Sequence, residues 1–414
     1  MSKKAKMIIA LLCAMVMLVG VLAGCDSKGG SGGGESGDSG ENTTQDAPAA
    51  GGEVAVTEWN IPVLSAITGP IAYVGKPASW AAEYAVQQIN NAGGIRGVKL
   101  NVKIMDTKFD TSEVAALLSG VIDNNLVVVG PMDAPGGEVA GQMISDSKVA
   151  NIAAYSYEDS RKAYAPYAIA YMTDSEEGDY LAAKKWLELN PDIKSVAIFL
   201  TPSDASQVAA AKLIEKACEE MGVEVKGQVE VETDTMDCGP AAVKAINLGA
   251  EGFFLGLRAD EAAKLASELR ARGVDEGRRI CATFACFSDN YFNVAGAEAL
   301  DGSYIWQKMD PNYDGEEWKA LVEAYKADFD GAAPTGSPVP DFYNALIAIK
   351  QCFEELEITG DPAKFEAEKE AIANWLYNSP VIHGIQGDFH WENGKKISDV
   401  YFFQLEGNKP VAVK

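Results

Sequence analysis

From Trp59 onward, short apolar runs of strand length alternate many times with amphipathic segments of helical length. In the segment PASWAAEYAVQQINNAGG, apolar residues recur every three or four positions and the Gly93-Gly94 pair ends the helix. The apolar runs, such as NLVVVG and SVAIFL, are rich in Val, Ile and Phe, as strands buried on both faces are. This alternation predicts an α/β fold with doubly wound parallel sheets. Further helices are predicted over Thr111–Asp123, Gly136–Ser147, Glu176–Leu189, Ser206–Met221, Pro240–Leu248, Asp260–Arg272, Glu316–Asp328, Asp341–Leu356 and Phe365–Tyr377.

The alternating pattern is interrupted, and each interruption predicts a crossing between two similar lobes. The extended run AYAPYAIAYMT is not followed by a helix of the usual kind, and the extended run GSYIWQKMD follows Asp301. A hairpin with an Asn393-Gly394 turn predicts a third crossing. The predicted lobes are 55–173 plus 307–381 and 174–306 plus 382–414, with hinges near Thr173, Trp306 and His383.

The N-terminal residues have the layout of a secretory signal peptide. Three lysines precede an uncharged apolar run, Met7–Ala23, which is somewhat shorter than a comfortable membrane span. The motif Leu22-Ala23-Gly24-Cys25 resembles the bacterial lipoprotein box, in which the cysteine becomes the lipid-carrying first residue. We therefore predict a signal peptide at 1–24 and lipid attachment at Cys25. The alternative is a core cysteine in an ordinary anchor helix.

Residues 25–54 have the composition of a flexible tether. Up to Gly52 the segment consists of Gly, Ser, acidic and other small or polar residues. Such a segment cannot bury enough apolar surface to offset the entropy lost on ordering. A phosphate-binding glycine loop is disfavoured, because no strand precedes these glycines and no helical pattern follows them.

Charge and histidine content exclude several functional classes. The chain has 60 acidic and 35 basic residues and a formal net charge of −25, so its surface repels nucleic acid and anionic lipid. Its two histidines, His383 and His390, disfavour a His-rich metal site and a Ser-His-Asp hydrolase, although His390 stays a candidate base. Because no G-x-S-x-G, H-E-x-x-H or paired-carboxylate arrangement stands out, we expect neither enzymatic activity nor a cofactor.

Five cysteines remain once Cys13 leaves with the signal peptide and Cys25 carries lipid. An odd number leaves at least one free thiol, so disulfides are not expected to organise the fold. We expect all five to be core residues or locally paired: Cys218, Cys238, Cys281, Cys286 and Cys352.

Several motifs along the chain belong to one pattern: the Thr68-Gly69-Pro70 turn, Tyr73-Val74-Gly75, the helix end at 90–95, Asp106 after the second strand, and GIQGDFHWENGKK near the C-terminus. Together they resemble the leucine/isoleucine/valine-binding class of ABC-transporter solute-binding proteins, which has the type I periplasmic-binding-protein fold. The resemblance covers residues 55–414. It implies two lobes joined by a three-segment hinge, a cleft that closes on a small molecule, and a membrane permease as partner. It also implies an exported, monomeric protein, which the lipid on Cys25 would hold at the outer face of the cell membrane or in the periplasm.

Ligands of open α/β sheets bind beyond the carboxyl ends of the strands, so the candidate site residues lie in the loops that follow strands. Tyr73 matches a family residue that commonly contacts ligand; the alternative is ordinary packing within its lobe. Where the family presents Ser and Thr to a carboxylate, this chain has Ala134, but Gly136 and Gly137 can offer backbone N–H groups to an anion. Asp133 either binds a cation or caps the following helix.

Other loops depart further from the family. The Tyr155-Ser156 pair would place an aromatic ring in the pocket, and the family's glutamate for an α-ammonium group is replaced near Phe287, which leaves an acid at Asp289. Arg258 either pairs with a carboxylate or is a solvated surface residue. The predicted ligand-binding residues are Thr68, Tyr73, Asp133, Ala134, Gly136, Gly137, Tyr155, Ser156, Asp204, Arg258, Phe287 and Asp289.

These departures make a branched-chain amino acid doubtful as the ligand. The expected function is capture of an amino acid-like, carboxylate or amide compound for delivery to an ABC importer. The alternatives are a ligand-sensing receptor domain of the same fold and a secreted enzyme.

Overall fold

The computed structural model describes residues 52–155, 158–233, 235–334 and 336–413. The predicted signal peptide, Cys25 and the predicted tether up to residue 51 lie outside these ranges. Within them the chain forms an α/β protein with two separate parallel sheets, as the sequence predicts.

Strands and helices alternate along most of the chain. The first group is β1 (Trp59–Ser65), α1 (Ala72–Asn91), β2 (Leu100–Asp106), α2 (Thr111–Ser119), β3 (Val127–Val129), α3 (Ala134–Asp146), β4 (Ala150–Ala153), α4 (Glu158–Ala163) and β5 (Ala168–Ala170). The second is α5 (Ser175–Leu189), β6 (Ser195–Leu200), α6 (Ala205–Glu220), β7 (Glu224–Glu230), α7 (Gly239–Asn247), β8 (Gly252–Gly256), α8 (Ala259–Ala271), β9 (Ile280–Ala282), α9 (Asp289–Leu300) and β10 (Tyr304–Gln307). The last is α10 (Glu316–Asp328), α11 (Pro338–Glu355), α12 (Phe365–Tyr377), β11 (Ile382–Gly384), β12 (Gly387–Glu392), β13 (Lys395–Ser398), β14 (Tyr401–Glu406) and β15 (Lys409–Ala412).

Lobe 1 is built on a five-stranded parallel sheet with the order β2-β1-β3-β4-β5. Strands β3 and β4 are buried along their whole length, because helices and the returning chain cover both faces of the sheet. Helices α10, α11 and α12 return to this lobe. Phe342, Leu346 and Phe353 of α11 join the same apolar core as Val127 and Ile152 of the sheet.

Lobe 2 contains a seven-stranded sheet with the order β15-β14-β10-β9-β8-β6-β7. Strands β6 to β10 run parallel, whereas β14 and β15 add two antiparallel strands at one edge. Two apolar clusters cover the faces of this sheet, one around Phe253 and Leu265 and the other around Trp186 and Trp306. Each lobe therefore has its own core.

The third sheet, β11-β12-β13, differs from the predicted lobe boundary at residue 382. Ile382, Phe389 and Trp391 are buried in the core of lobe 1, and Trp391 Nε1 donates a hydrogen bond to the Ala170 carbonyl oxygen at 2.7 Å. Burial of these large apolar side chains keeps residues 382–398 on lobe 1. The chain enters the sheet of lobe 2 only at β14. The predicted Asn393-Gly394 turn is present, and both residues have positive φ, as a tight hairpin turn requires.

The chain crosses between the lobes three times, between β5 and α5, between β10 and α10 and between β13 and β14. Met309 is already buried in the core of lobe 1, so the second crossing is complete directly after Lys308. Thr173 lies in the first crossing, as predicted, whereas Trp306 is buried in lobe 2 just before the second. His383 is exposed on lobe 1, so the third crossing follows Ser398 instead. The Thr173 and Ser398 hydroxyl oxygens lie 2.7 Å apart and join the first crossing to the end of β13, after which the third crossing begins.

Buried thiols and polar clusters add little to the organisation of the fold. All five described cysteines are buried and free, so none is locally paired: Cys218, Cys238, Cys281, Cys286 and Cys352. In the described ranges no group of three or more His, Cys, Asp or Glu side chains is arranged to hold a metal ion. None of the helices described there has the length and apolarity needed to span a membrane.

Candidate ligand-binding cleft

Each lobe has a topological switch point at the carboxyl edge of its parallel strands. The chain order reverses between β1 and β3 in lobe 1 and between β6 and β8 in lobe 2. At such a point the connections leave in opposite directions and open a crevice, where ligands of open α/β sheets bind. The loops that border the two crevices are 66–71, 130–133, 201–204 and 257–258.

Tyr73 lies in the first turn of α1, directly after the first of these loops. The start of α1 packs closely against this loop because residue 75 is a glycine. A Cβ at Gly75 would lie only 2.0 Å from the Ala66 carbonyl oxygen. Tyr73 is 78% exposed, so its ring does not pack in the core of lobe 1. The ring is therefore available at the cleft edge, which is compatible with the predicted contact to a ligand.

Thr68 is engaged within its own lobe. Its hydroxyl donates a hydrogen bond to Asp106 Oδ2 at 2.5 Å, and the backbone N–H groups of Ile67 and Thr68 donate to Asp106 Oδ1. Burial alone would raise the pKa of Asp106, but hydrogen bonds from Thr68, Lys108 and Ile67 outweigh it and hold the pKa below its ordinary value. Thr68 thus helps to fix the loop that precedes Tyr73.

Asp133 caps helix α3, which is the second of the two roles predicted for it. Its Oδ1 accepts a hydrogen bond from the Gly136 N–H at 2.8 Å, and its backbone carbonyl accepts from the Gly137 N–H at 2.9 Å. Burial raises the pKa of Asp133. The sequence analysis expected the backbone N–H groups of Gly136 and Gly137 to be available to an anion. In the structure both N–H groups already donate hydrogen bonds to Asp133. Ala134 takes the first position of the helix and is half-buried.

Tyr155 points into lobe 1, contrary to the expectation that its ring narrows the pocket. The residue is fully buried in the cluster that contains Leu64 and Ile144, and its hydroxyl donates to Asn151 Oδ1 at 2.7 Å. Burial raises the pKa of the Tyr155 hydroxyl well above its ordinary value. Ser156 lies outside the described residues.

Asp204 and Arg258 face each other across the switch point of lobe 2. Asp204 caps helix α6 by accepting hydrogen bonds from the Ser206 and Gln207 N–H groups. Burial alone would raise the pKa of Asp204, but these bonds, the Ser206 hydroxyl and Arg258 together lower it. Arg258 directly precedes α8, its side chain is 64% exposed, and its Nη2 lies 3.5 Å from Asp204 Oδ2. This loose contact leaves most of the guanidinium open to the cleft.

Phe287 and Asp289 follow β9 at the same edge of lobe 2. The Phe287 ring packs on Phe292 and Phe403 with centroid separations of 5.4 Å, so it is partly committed to the core of lobe 2. Asp289 is the first residue of α9, and the Ser288 hydroxyl caps this helix by accepting from the Tyr291 N–H.

Lys308 lies where the two cleft edges meet, a position that the sequence analysis did not identify. It directly follows β10 in lobe 2, and its Nζ lies 2.9 Å from Ser175 Oγ and 3.0 Å from Met172 Sδ, which follows β5 of lobe 1. The Nζ also lies 4.5 Å from the centre of the Phe284 ring. Burial lowers the pKa of Lys308 to about 8, although Asp341, Asp174, Glu176 and Asp179 act in the opposite direction. The sequence did contain a signal for Lys308, because it is a lysine that directly follows a strand within a predicted crossing.

A buried carboxyl group lies beneath the same region. Asp179 of α5 is 3% exposed and accepts a hydrogen bond from Trp306 Nε1 at 2.6 Å. Burial raises its pKa to about 7 against the opposing effect of hydrogen bonds from Thr283 and Trp306. This carboxyl group therefore titrates near neutral pH.

Four other charged side chains at the hinge form two ion pairs. Arg161 is buried and bonds both oxygens of Asp174 at 2.9 and 2.8 Å, a bidentate geometry. Lys396 pairs with the buried Asp341 of α11. These pairs connect α4 to the first crossing and β13 to α11, which makes the hinge region a polar but charge-matched interior.

Two doubly wound lobes, each with a switch point, and three crossings define a type I periplasmic binding protein. A family model described as periplasmic binding protein matches residues 58–410, and the chain therefore belongs to the periplasmic binding protein family.

Individual relatives are named as amino acid-binding proteins. The chain is 23% identical to the leucine-, isoleucine-, valine-, threonine- and alanine-binding protein of Pseudomonas aeruginosa over 326 residues. The matched region covers 78% of this chain and 83% of that protein. It is 24% identical over 337 residues to the Leu/Ile/Val/Thr-binding protein of Salmonella typhimurium, with 80% and 86% coverage.

Solved structures show the same fold. A putative branched-chain amino acid ABC transporter protein from Silicibacter pomeroyi has a TM-score of 0.73 at 17% identity and covers 86% of this chain and 96% of its own. A branched-chain amino acid substrate-binding protein from Streptococcus pneumoniae, solved with isoleucine, has a TM-score of 0.66 at 18% identity, with 86% and 98% coverage.

Proposed function

We propose that this protein captures a small molecule between its two lobes and delivers it to an ABC importer in the membrane. The observation that carries this proposal is the pair of switch points, each bordered by an exposed side chain suited to ligand contact: Tyr73 in lobe 1 and Arg258 in lobe 2. Their position matches the place where ligands of open α/β sheets bind. The family membership supports the same conclusion. In this role the protein is a binding protein rather than an enzyme.

The ligand we propose is an amino acid-like, carboxylate or amide compound. The relatives named above bind leucine, isoleucine, valine and threonine according to their names, which favours a ligand of similar size. In this chain, however, Asp133 occupies the backbone N–H groups of Gly136 and Gly137 at the switch point of lobe 1. A free carboxylate therefore finds less support at that helix, and leucine, isoleucine and valine are expected to bind weakly.

The proposal includes a lipid anchor. A lipid on Cys25 and a tether over residues 25–54 would keep a monomeric binding domain outside the cytoplasm and close to the permease. The motif Leu22-Ala23-Gly24-Cys25 after an uncharged apolar run supports this part of the proposal.

A thermal-shift screen of the purified full-length chain in mild detergent tests the proposal. The panel contains amino acids, aliphatic and aromatic carboxylates, the matching amides, and nucleosides as unrelated compounds. A ligand that binds only the folded state raises the melting temperature, by an amount equivalent to about 2.7 kcal/mol at a concentration one hundred times Kd. A panel in which no carboxylate, amide or amino acid raises the melting temperature would contradict the proposed ligand class.

A further inference from the structure

Arg258 occupies the centre of the cleft edge of lobe 2. Strand β8 lies between β6 and β9, so the loop after it, Leu257-Arg258, borders the switch point and lies beside the loops that follow both neighbours. The Arg258 side chain is 64% exposed, and the Nη2–Asp204 Oδ2 distance of 3.5 Å is at the limit of a hydrogen bond. The guanidinium is thus held near the crevice while most of its five N–H donors stay uncommitted.

The helix N-termini at the two switch points are already capped by carboxylates of the protein. In lobe 1 the Asp133 carboxylate takes the Gly136 N–H at the start of α3, and in lobe 2 the Asp204 carboxylate takes the Ser206 and Gln207 N–H groups at the start of α6. Both helix N-termini therefore already carry an anion from the protein itself. A ligand anion placed there would meet a carboxylate and not a free helix terminus.

The cations near the hinge are also engaged. Lys396 is paired with Asp341, and Arg161 with Asp174. Lys308 is surrounded by the acidic side chains Asp341, Asp174, Glu176 and Asp179, which together favour its charged form. An exposed guanidinium at a switch point is therefore the better anion receptor of the described cleft.

We propose that Arg258 binds the carboxylate of the ligand on lobe 2, so that the cleft selects carboxylic acids with an apolar body and does not require an α-ammonium group. This inference rests on the proposed function of the cleft. Arginine suits the task, because its planar fork matches both oxygens of a carboxylate and its weak hydration lowers the cost of burial when the lobes close. The ring of Tyr73 on the opposite lobe supplies contact area for the apolar body.

The test uses probes that differ in charge but hardly in shape. These are 4-methylpentanoate and 4-methylpentanamide, benzoate and benzamide, and L-leucine as the zwitterion, each titrated into the full-length chain in mild detergent by calorimetry. We expect at least one carboxylate to bind at least tenfold more tightly than its amide. Arg258→Met should abolish this preference with little effect on amide binding, and Arg258→Lys should keep part of it.

Arg272→Met is the matched control. Arg272 follows the other end of the same helix, and its Nη1 pairs with Glu268 at 2.7 Å, so the variant also loses an exposed guanidinium but lies away from the cleft. It should keep the carboxylate preference of the unmodified protein. Melting temperatures of all variants show whether each is folded.

The outcomes separate this inference from the proposed function. If carboxylates and amides bind equally well, or if Arg258→Met keeps the preference, the assignment of Arg258 is wrong while the protein remains a small-molecule receptor. If none of the five probes and no compound of the thermal-shift panel binds the unmodified protein, the proposed function fails and the Arg258 assignment fails with it.

Discussion

At the residue scale, Tyr73 offers the cleft an aromatic ring that the protein leaves 78% exposed. A ring buried against a ligand contributes about 2 to 3 kcal/mol. We expect Tyr73→Ala to weaken binding of the ligand that gives the largest thermal shift by at least tenfold, about 1.4 kcal/mol, as measured by calorimetry.

Tyr155→Phe is the control for this prediction. It removes the hydroxyl that bonds Asn151 inside lobe 1, so it should lower the free energy of unfolding by about 1 kcal/mol and leave the ligand Kd unchanged. An unchanged Kd in Tyr73→Ala would mean that the exposed ring faces solvent in the bound state also.

Asp179 makes the stability of lobe 2 depend on pH. Its folded-state pKa of about 7 lies above the ordinary value of 3.8, because burial disfavours the charged form. The folded state therefore binds the proton more tightly than the unfolded state. The contribution of this group is favourable at low pH and is lost as pH rises from about 4 to about 7.

We expect Asp179→Asn to relieve this loss. The amide stays neutral and can still accept the hydrogen bond from Trp306 Nε1. Relative to the unmodified protein, its free energy of unfolding should rise between pH 4 and pH 8 by up to about 4 kcal/mol. Urea unfolding at several pH values measures the difference. A difference that does not change with pH would show that Asp179 does not titrate near neutrality.

At the element scale, helix α3 depends on its cap. Asp133 Oδ1 accepts from the Gly136 N–H, so Asp133→Ala should lower the free energy of unfolding by about 1 kcal/mol. Asp133→Asn keeps a capping oxygen and should lose only a few tenths of that stability in urea unfolding. Equal losses in the two variants would indicate that the carboxylate charge, rather than the cap, stabilises the helix.

Periodicity predicted most elements because each helix buries one face locally. The helices Glu316–Asp328 and Phe365–Tyr377 agree with their predicted bounds, and α3 begins two residues earlier and ends one residue earlier than predicted. These helices are amphipathic over several turns, so the spacing of their apolar residues identifies them without knowledge of the surface they pack against.

Features that depend on tertiary packing were not predictable in the same way. The hairpin strands β12 and β13 were predicted, but their lobe was not, since it depends on Trp391 reaching the carbonyl of Ala170. Tyr155 follows a strand, and sequence position alone does not tell whether a ring turns to the cleft or to the core. Asp133 has the same ambiguity between capping and ligand binding: its Oδ1 caps helix α3 through the hydrogen bond from Gly136, while its buried Oδ2 has no hydrogen-bond partner among the described residues.

At the scale of the whole molecule, anchoring and binding are expected to be separable. Cys25→Ser should prevent lipid attachment, so the protein should leave the membrane fraction while its melting temperature and ligand binding stay unchanged. Cys13→Ser, in the same predicted signal peptide, is the matched control and should remain membrane-attached. Full retention of Cys25→Ser in the membrane fraction would contradict the lipoprotein prediction.

The three crossings permit the lobes to move as rigid bodies. They are short, and a few polar contacts lie beside them, such as the one between the Thr173 and Ser398 hydroxyls and the bond from Gln386 Nε2 of lobe 1 to the Asp310 carbonyl oxygen at 2.7 Å. Each lobe has its own apolar core, so rotation about the crossings need not disturb the packing within either lobe.

We therefore expect ligand binding to bring the two cleft edges together. Spin labels on Lys108→Cys and Ser203→Cys report this motion, because both residues are exposed and follow strands at the facing edges, β2 in lobe 1 and β6 in lobe 2. The distance between the labels, measured by pulsed electron resonance, should shorten by several Å with saturating ligand, since a clamshell closure moves the edges more than the hinge. A second pair, Lys108→Cys with Lys319→Cys, lies within lobe 1 and should keep its distance. If the interlobe distance stays constant while calorimetry shows full occupancy, the ligand binds to one lobe without closure of the cleft.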